Sequence, residues 1–391
     1  MHAPKTIERD PEGYAPLQTA SAASTTSRWR AAGRVLLGVL VVLLGGEILC
    51  RLLIGGPSPQ QFDAEIGYSY LPHSEMFQAK EGYTRLTFNS LGLNDKEVAP
   101  KNGQCRVLVI GDSYTASLQV PRESNFSSVA ERLDPRLDVV NGGREGLFLG
   151  DLHKVRRRLD AAVQPDLTVF VISQRAIEVD PTLPEFSVTA NASGEIIDAQ
   201  MQVEQREHFK QSFEALVQRS ALAARIAAQA KPLVVDALAQ VNRWRADLAA
   251  APVAAAAASA PARAQGAPKR ASSDDVLAYV FHRFKEQGPA ALLYINGLNY
   301  ANDGSATVAP TSSRAGEVAR RAAARAGVPF YDTGRYLIDS VARTHQPPYG
   351  FDNSLRPGGH LNELGQAAVA QALVHAIHDA AGPLGVECAR P

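Results

Sequence analysis

The chain has 391 residues, 45% of them hydrophobic, and its 40 basic and 40 acidic side chains leave a formal net charge of zero. One large domain with appendages is within reach of that length and composition, while a neutral chain with no basic stripe among aromatics lacks the footprint of a nucleic-acid binder. Cys50, Cys105 and Cys388 form neither CxxC pairs nor a metal-ligand spacing, so no cofactor and no metal are expected.

Residues 1–34 read as a disordered cytoplasmic tail, rich in Ser, Thr, Ala and Pro as far as about Ser27. From Val35 to Ile54 the chain is apolar except for Glu47 and Arg51, and at about 1.5 Å per residue such a run crosses roughly 30 Å of hydrocarbon. A single transmembrane helix over 35–54 is therefore expected. A cleaved signal peptide is the competing reading, but the polar segment ahead is long and no Ala-x-Ala site follows. Glu47 and Arg51 stand four apart and pair on one helix face. Arg28, Arg30 and Arg34 crowd the N-terminal flank, which puts the N-terminus in the cytoplasm and everything beyond Gly55 outside. For a bacterial chain, in line with the Ala- and Arg-rich composition, that means an inner-membrane anchor and an oxidising periplasm.

Residues 57–104 form a lead-in holding Ile66-Gly67-Tyr68-Ser69-Tyr70 and Phe88-Asn89-Ser90-Leu91-Gly92-Leu93. These aromatics either pack a hairpin on the core or present a platform for sugars. Buried strands are expected at about 105–110, 137–141, 167–172, 290–295 and 328–331, alternating with helical or loop sequence. That alternation indicates an α/β fold, a parallel five-stranded sheet covered on both faces. An insertion at about 204–273, helical with a break at Pro232 and then Ala-rich and low in complexity, is either a lid or a surface excursion.

Gly111-Asp112-Ser113-Tyr114-Thr115 follows the first of these strands directly. Ser113 thus stands at the carboxyl end of a strand and the start of a helix, where open α/β sheets place their chemistry and backbone N–H groups face developing negative charge. An ordinary capped βα turn fits the same residues. After the second strand comes the turn Asn141-Gly142-Gly143-Arg144-Glu145-Gly146, and near the C-terminus His360-Leu361-Asn362-Glu363-Leu364-Gly365 enters the last helix. The order of these three blocks resembles the SGNH/GDSL hydrolase superfamily in its membrane-anchored bacterial form, over roughly residues 62–180 and 288–380.

That resemblance implies a three-layer flavodoxin-like (SGNH-type) domain over 105–391, with Ser113 as nucleophile and His360 as base. The family's aspartate two or three residues before the histidine is missing, since Pro357 and Gly358 stand there. Asp352 is the nearest carboxylate upstream, and a backbone carbonyl orienting His360 is the simpler alternative. Where the family carries an asparagine after the third strand, this chain reads Ser173-Gln174-Arg175. The oxyanion donors implied are then the backbone N–H groups of Ser113 and Gly146, with Gln174 as a third.

An activated serine makes an acyl-enzyme that either water or a sugar hydroxyl resolves, so the same residues serve an esterase and an acyltransferase. By family analogy the substrates are O-acyl, chiefly O-acetyl, esters of an envelope polysaccharide, and the partners are the inner membrane and a membrane-bound O-acyltransferase or polysaccharide synthase. A carboxylesterase or lipase for small esters is a second reading. A catalytically impaired SGNH-fold module that binds glycan or an envelope partner is the third. The last helix brings Cys388 back toward the start of the first sheet strand, so a Cys105–Cys388 disulfide and two unrelated thiols are both open.

Overall fold

A computed structural model of the protein describes residues 23–53, 59–63, 66–147, 149–177, 186–191, 196–201, 220–223, 226, 273–354 and 357–388. Two compact units result, one ending at Leu49 and one beginning at Cys50. Helix α1, Ala23–Leu53, carries the apolar run. It starts ahead of Val35, so residues 23–34 of the expected tail are helical; no proline or glycine interrupts the stretch from Ala23 to Ala32. From Trp29 to Leu53 the helix has a mean hydropathy of 2.3 and is long and apolar enough to cross a membrane. Residues 1–22 lie outside the described residues.

In the second unit, two antiparallel pairs open the chain: β1 (Gln60–Asp63) with β2 (Gly67–Tyr70), and β3 (Glu75–Gln78) with β4 (Thr84–Thr87). Strand β5 (Cys105–Gly111) leads into the one-turn helix α2 (Ser113–Ala116). Then follow α3 (Phe126–Leu133), β6 (Leu137–Asn141), α4 (Leu152–Val163), β7 (Leu167–Ser173) and α5 (Gln174–Ile177). A hairpin, β8 (Phe186–Ala190) with β9 (Ile196–Met201), precedes the insertion. Beyond it come α6 (Ser273–Lys285), β10 (Ala290–Ile295), β11 (Leu298–Tyr300), β12 (Ala306–Val308), α7 (Pro310–Ala326), β13 (Phe330–Asp332), α8 (Gly334–Thr344) and α9 (Glu363–Ala381).

The central sheet runs β13-β10-β7-β5-β6 with every pair parallel. Counting sheet strands in chain order, this is the flavodoxin-like order 2-1-3-4-5. Strands β5, β6, β7 and β10 are buried along their whole length, which is why they read as mainly apolar rather than alternating, with Arg106, Asp138, Asn141, Thr168 and Ser173 as buried polar exceptions. The two-residue period still sorts their side chains. Leu108, Ile110, Phe170 and Leu292 face the layer of α4, α6 and α7, while Val107, Val109, Val169 and Leu293 face that of α3, α8 and α9.

The fifth strand starts at Phe330, later than the expected 328, because Pro329 offers its carbonyl to Leu292 but has no N–H for the ladder. Cys105 and Cys388 are bonded, with Cα atoms 4.9 Å apart, so the chain beyond α9 is tied to the start of β5. In the lead-in, Tyr70 and Phe88 are buried and stack at 4.1 Å. They pack the core, which decides against a sugar platform for this pair. Polar bonds then fix the lead-in on the domain: Asn94 Nδ2 donates to Ala116 O (3.0 Å), Asn141 N–H to Asp95 (2.6 Å), and Lys96 pairs with Asp138 (2.9 Å). Apart from residues 220–223, 226 and 273, the insertion at 204–273 lies outside the described residues.

Candidate active site

Gly111 ends β5 where no side chain fits: a Cβ there would stand 2.1 Å from Thr115 Oγ1 and 2.7 Å from Val171 O. The chain can therefore turn sharply between two neighbouring strands. Asp112 caps the turn, accepting from Tyr114 N–H at 3.0 Å, and Ser117 ends α2 in the left-handed region at φ 51°. One helical turn supplies little macrodipole. What α2 offers is its first-turn N–H groups, and among the described residues that of Ser113 has no hydrogen-bond partner.

The Gly-rich turn after β6 lies against α2. A Cβ on Gly143 would come within 2.3 Å of Ala116 N, while Asn141 Nδ2 donates to Thr115 O (2.8 Å) and Arg144 N–H to Gly111 O (3.0 Å). These contacts set the path of the chain on to Gly146, at φ +73°.

His360 arrives from the other end of the chain. Asn362 caps α9, accepting from the N–H groups of Leu364 (3.0 Å) and Gly365 (3.2 Å), and its Nδ2 donates to Pro347 O (2.8 Å). The spacing in His360-x-Asn362-x-x-Gly365 follows from this: Asn362 fixes the loop, and Gly365 lets Pro348 O approach within 2.3 Å of where a Cβ would be. Gln366, one residue on, accepts from Ser117 Oγ (3.1 Å) and Phe126 N–H (2.9 Å), locking α9 to the serine turn.

The result is a chain of three side chains. Ser113 Oγ lies 2.9 Å from His360 Nε2, and His360 Nδ1 lies 2.7 Å from Glu81 Oε2. The same carboxylate oxygen accepts from the His360 backbone N–H at 3.0 Å. Tyr114 flanks the imidazole with ring centroids 5.3 Å apart. Asp112 is half-buried beside it, and desolvation raises its carboxyl above the ordinary value, offset in part by the bond from Tyr114 N–H and the nearby His360.

Glu81 is the residue that sequence reasoning missed. The Nδ1 position offered to Asp352 or to a backbone carbonyl is taken by a carboxylate from the β3–β4 turn, 279 residues earlier. The loop that carries Asp352 contributes its next residue instead. Asn353 Nδ2 donates to Ala79 O (2.9 Å) and Gly82 O (2.9 Å), and its Oδ1 accepts from Gly82 N–H (2.8 Å), so the loop before His360 grips the turn that carries Glu81. Gly82 is required there: its φ is +70° and a Cβ would stand 2.3 Å from Gln119 O.

Ser113, Gly146, Gln174, His360 and Glu81 all line one pocket of about 840 Å³ at the carboxyl edge of the sheet. Asp352 does not line it. The Gly146 N–H, like that of Ser113, makes no hydrogen bond among the described residues. Gln174 Oε1 accepts from Thr311 Oγ1 at 3.3 Å, so a donor role for Gln174 rests with its Nε2.

No family model matches the chain, and no curated protein is similar to it. Among solved structures it is similar to the acetyl xylan esterase AlAXEase, at 11% identity over 70% of this chain and 99% of that one (TM-score 0.35). It is also similar to an acetyl xylan esterase variant from Geobacillus stearothermophilus, at 15% identity over 73% of this chain and 97% of that one (TM-score 0.33). A member of the lipolytic protein G-D-S-L family from Veillonella parvula is 9% identical over 69% and 96% of the two chains (TM-score 0.34).

Proposed function

We propose that the protein is a membrane-anchored, periplasmic serine hydrolase or acyltransferase of SGNH type that acts on O-acyl esters of an envelope polysaccharide through an acyl-serine. The observation that carries the chemistry is the continuous Ser113–His360–Glu81 chain opening into the pocket.

Glu81 accepts from Nδ1–H of His360, which leaves Nε2 as the acceptor for the Ser113 hydroxyl proton. Freed of that proton, Ser113 Oγ attacks the ester carbonyl. The oxyanion forms beside the N–H groups of Ser113 and Gly146, with Gln174 as third donor, each such donor contributing about 3–4 kcal/mol to the transition state. His360, now cationic and paired with Glu81, protonates the departing alkoxide. Water or a sugar hydroxyl then resolves the acyl-serine by the same steps in reverse. The reading as a catalytically impaired binding module drew on the missing acid, and Glu81 in that place supports an enzyme.

Location rests on three features that agree: the apolar stretch of α1, arginines at the N-terminal end of that stretch, and a Cys105–Cys388 bond that an oxidising compartment favours. A reporter active only in the periplasm is expected to work when fused after Gly55 and to fail when fused within the first 25 residues, and the reverse pattern would remove the envelope from the proposal. An acylated glycan as substrate, and a membrane-bound O-acyltransferase or polysaccharide synthase as partner, complete the proposal and rest on the resemblance to the SGNH superfamily alone.

A fluorophosphonate probe is expected to label the full-length protein in detergent, and Ser113→Ala to abolish both the label and hydrolysis of p-nitrophenyl acetate. Labelling at another residue, or none in a folded preparation, would sink the serine-ester chemistry.

A further inference from the structure

Besides its two tyrosines, the pocket is lined by four side chains that carry or can carry charge, and three are engaged. Glu81 holds His360, His360 also meets Ser113, and Asp112 accepts from Tyr114 N–H (3.0 Å) and Ser173 Oγ (3.4 Å). The fourth is Arg175, in α5 just after β7. It is exposed, and among the described residues it has neither a hydrogen bond nor an ion pair.

A solvated surface arginine would look similar taken alone, but Arg175 differs in two respects. Its positive charge is felt at both residues that flank the nucleophile, Asp112 and Tyr114. It also sits on a braced turn, since its neighbour Gln174 is bonded to Thr311 of α7 and Ile177 at the end of the same turn is buried in the core. A cation held at the mouth of a pocket by its scaffold is placed for an anionic group of the bound molecule. Leu147, Ile295 and Tyr349 complete the lining with surface suited to an acyl group or the apolar face of a sugar ring.

We propose that the pocket takes an acyl ester carried on an anionic molecule, whose carboxylate or phosphate group is held by the Arg175 guanidinium. The assignment rests on the serine-ester reading and specifies its substrate class. A neutral acylated glycan would leave Arg175 without a role in recognition. An acidic one, whether through a uronate carboxylate or a phosphate substituent, would satisfy it.

The test uses the full-length protein in detergent with three substrates at low ionic strength: O-acetylated methyl glucoside, its glucuronoside counterpart and its 6-phosphate. At least one anionic substrate is expected to exceed the neutral one by about tenfold or more in kcat/KM, the range for a hydrogen bond to a charged group. Which of the two wins distinguishes carboxylate from phosphate. The preference is expected to shrink in high salt, fall to near one in Arg175→Gln and survive in part in Arg175→Lys. A preference that is absent, or equal in wild type and Arg175→Gln, overturns the proposal while leaving Ser113-dependent turnover of the neutral ester standing. No turnover and no fluorophosphonate labelling of folded protein would overturn the serine chemistry and the proposal with it. If turnover by hydrolysis is too slow to rank substrates, protection of Ser113 from the probe supplies the same comparison, with protection by the anionic sugars weakened in Arg175→Gln.

Discussion

Glu81→Gln is expected to lower kcat by roughly 10²- to 10⁴-fold with little change in KM or in thermal stability. Glu81 accepts two hydrogen bonds from one residue, at Nδ1 and at the backbone N–H of His360. A glutamine retains an oxygen for one of them but places an amide N–H within reach of the ring, which favours the tautomer with its proton on Nε2. That tautomer cannot take the proton of Ser113. The side chains of His360 and Glu81 are 27% and 22% exposed, so water screens part of the pair's Coulombic attraction, and most of the expected loss is one of tautomer and orientation. Glu81→Asp keeps the charge on a shorter stem and should recover part of the rate. Asn353→Ala, which frees the turn carrying Glu81, should lower kcat in the same direction, and in a Glu81→Gln background it should add little because both act through one orientation of His360. Equal kcat in wild type and Glu81→Gln, with Asp352→Asn strongly impaired, would return the acid to the loop before His360.

The contrast between Glu81 and the sheet shows what kind of information a single sequence carries. Val107–Ile110 and Val169–Ile172 are legible because a parallel strand buried on both faces is apolar along most of its length, and that is a local property. Ser113 is legible because the strand, the Gly111 turn and the serine are contiguous. His360 required the order of three distant blocks. Glu81 has no such signal: Lys80-Glu81-Gly82 reads as a polar hairpin turn, and only the grip of Asn353 on that turn reveals its direction. The loop before His360 was the right place to look for the missing acid, yet its contribution is an amide that positions a carboxylate from elsewhere. Nor is the β8–β9 hairpin among the expected strands, although Asn191 to Gly194 separates two segments of strand-like sequence. The start of α1 has no such signal either, since serine, threonine and arginine over residues 24–30 are as compatible with a first helical turn as with a tail.

Cys105→Ala and Cys388→Ala are each expected to cost about 2–5 kcal/mol of stability and to lower Tm by roughly 5–10 °C. The bond closes a loop with a sequence separation of 283, and in the chain-entropy account the constraint on the unfolded chain grows with loop length. Its position decides what the change leaves alone. Cys105 is the first residue of β5, whereas Ser113 follows the last, so the bond braces the end of the central strand remote from the site. Activity per folded molecule at low temperature should therefore hold in both variants while the melting curve moves. The double variant should melt no lower than the less stable single one, because the second substitution has no bond left to remove. Dithiothreitol should lower the wild-type Tm and leave the double variant unmoved. Free Cys105 and Cys388 in peptide maps of protein isolated from the cell envelope, together with an unchanged Tm in both single variants, would show that the native chain does not use this bond and would weaken the case for an oxidising compartment.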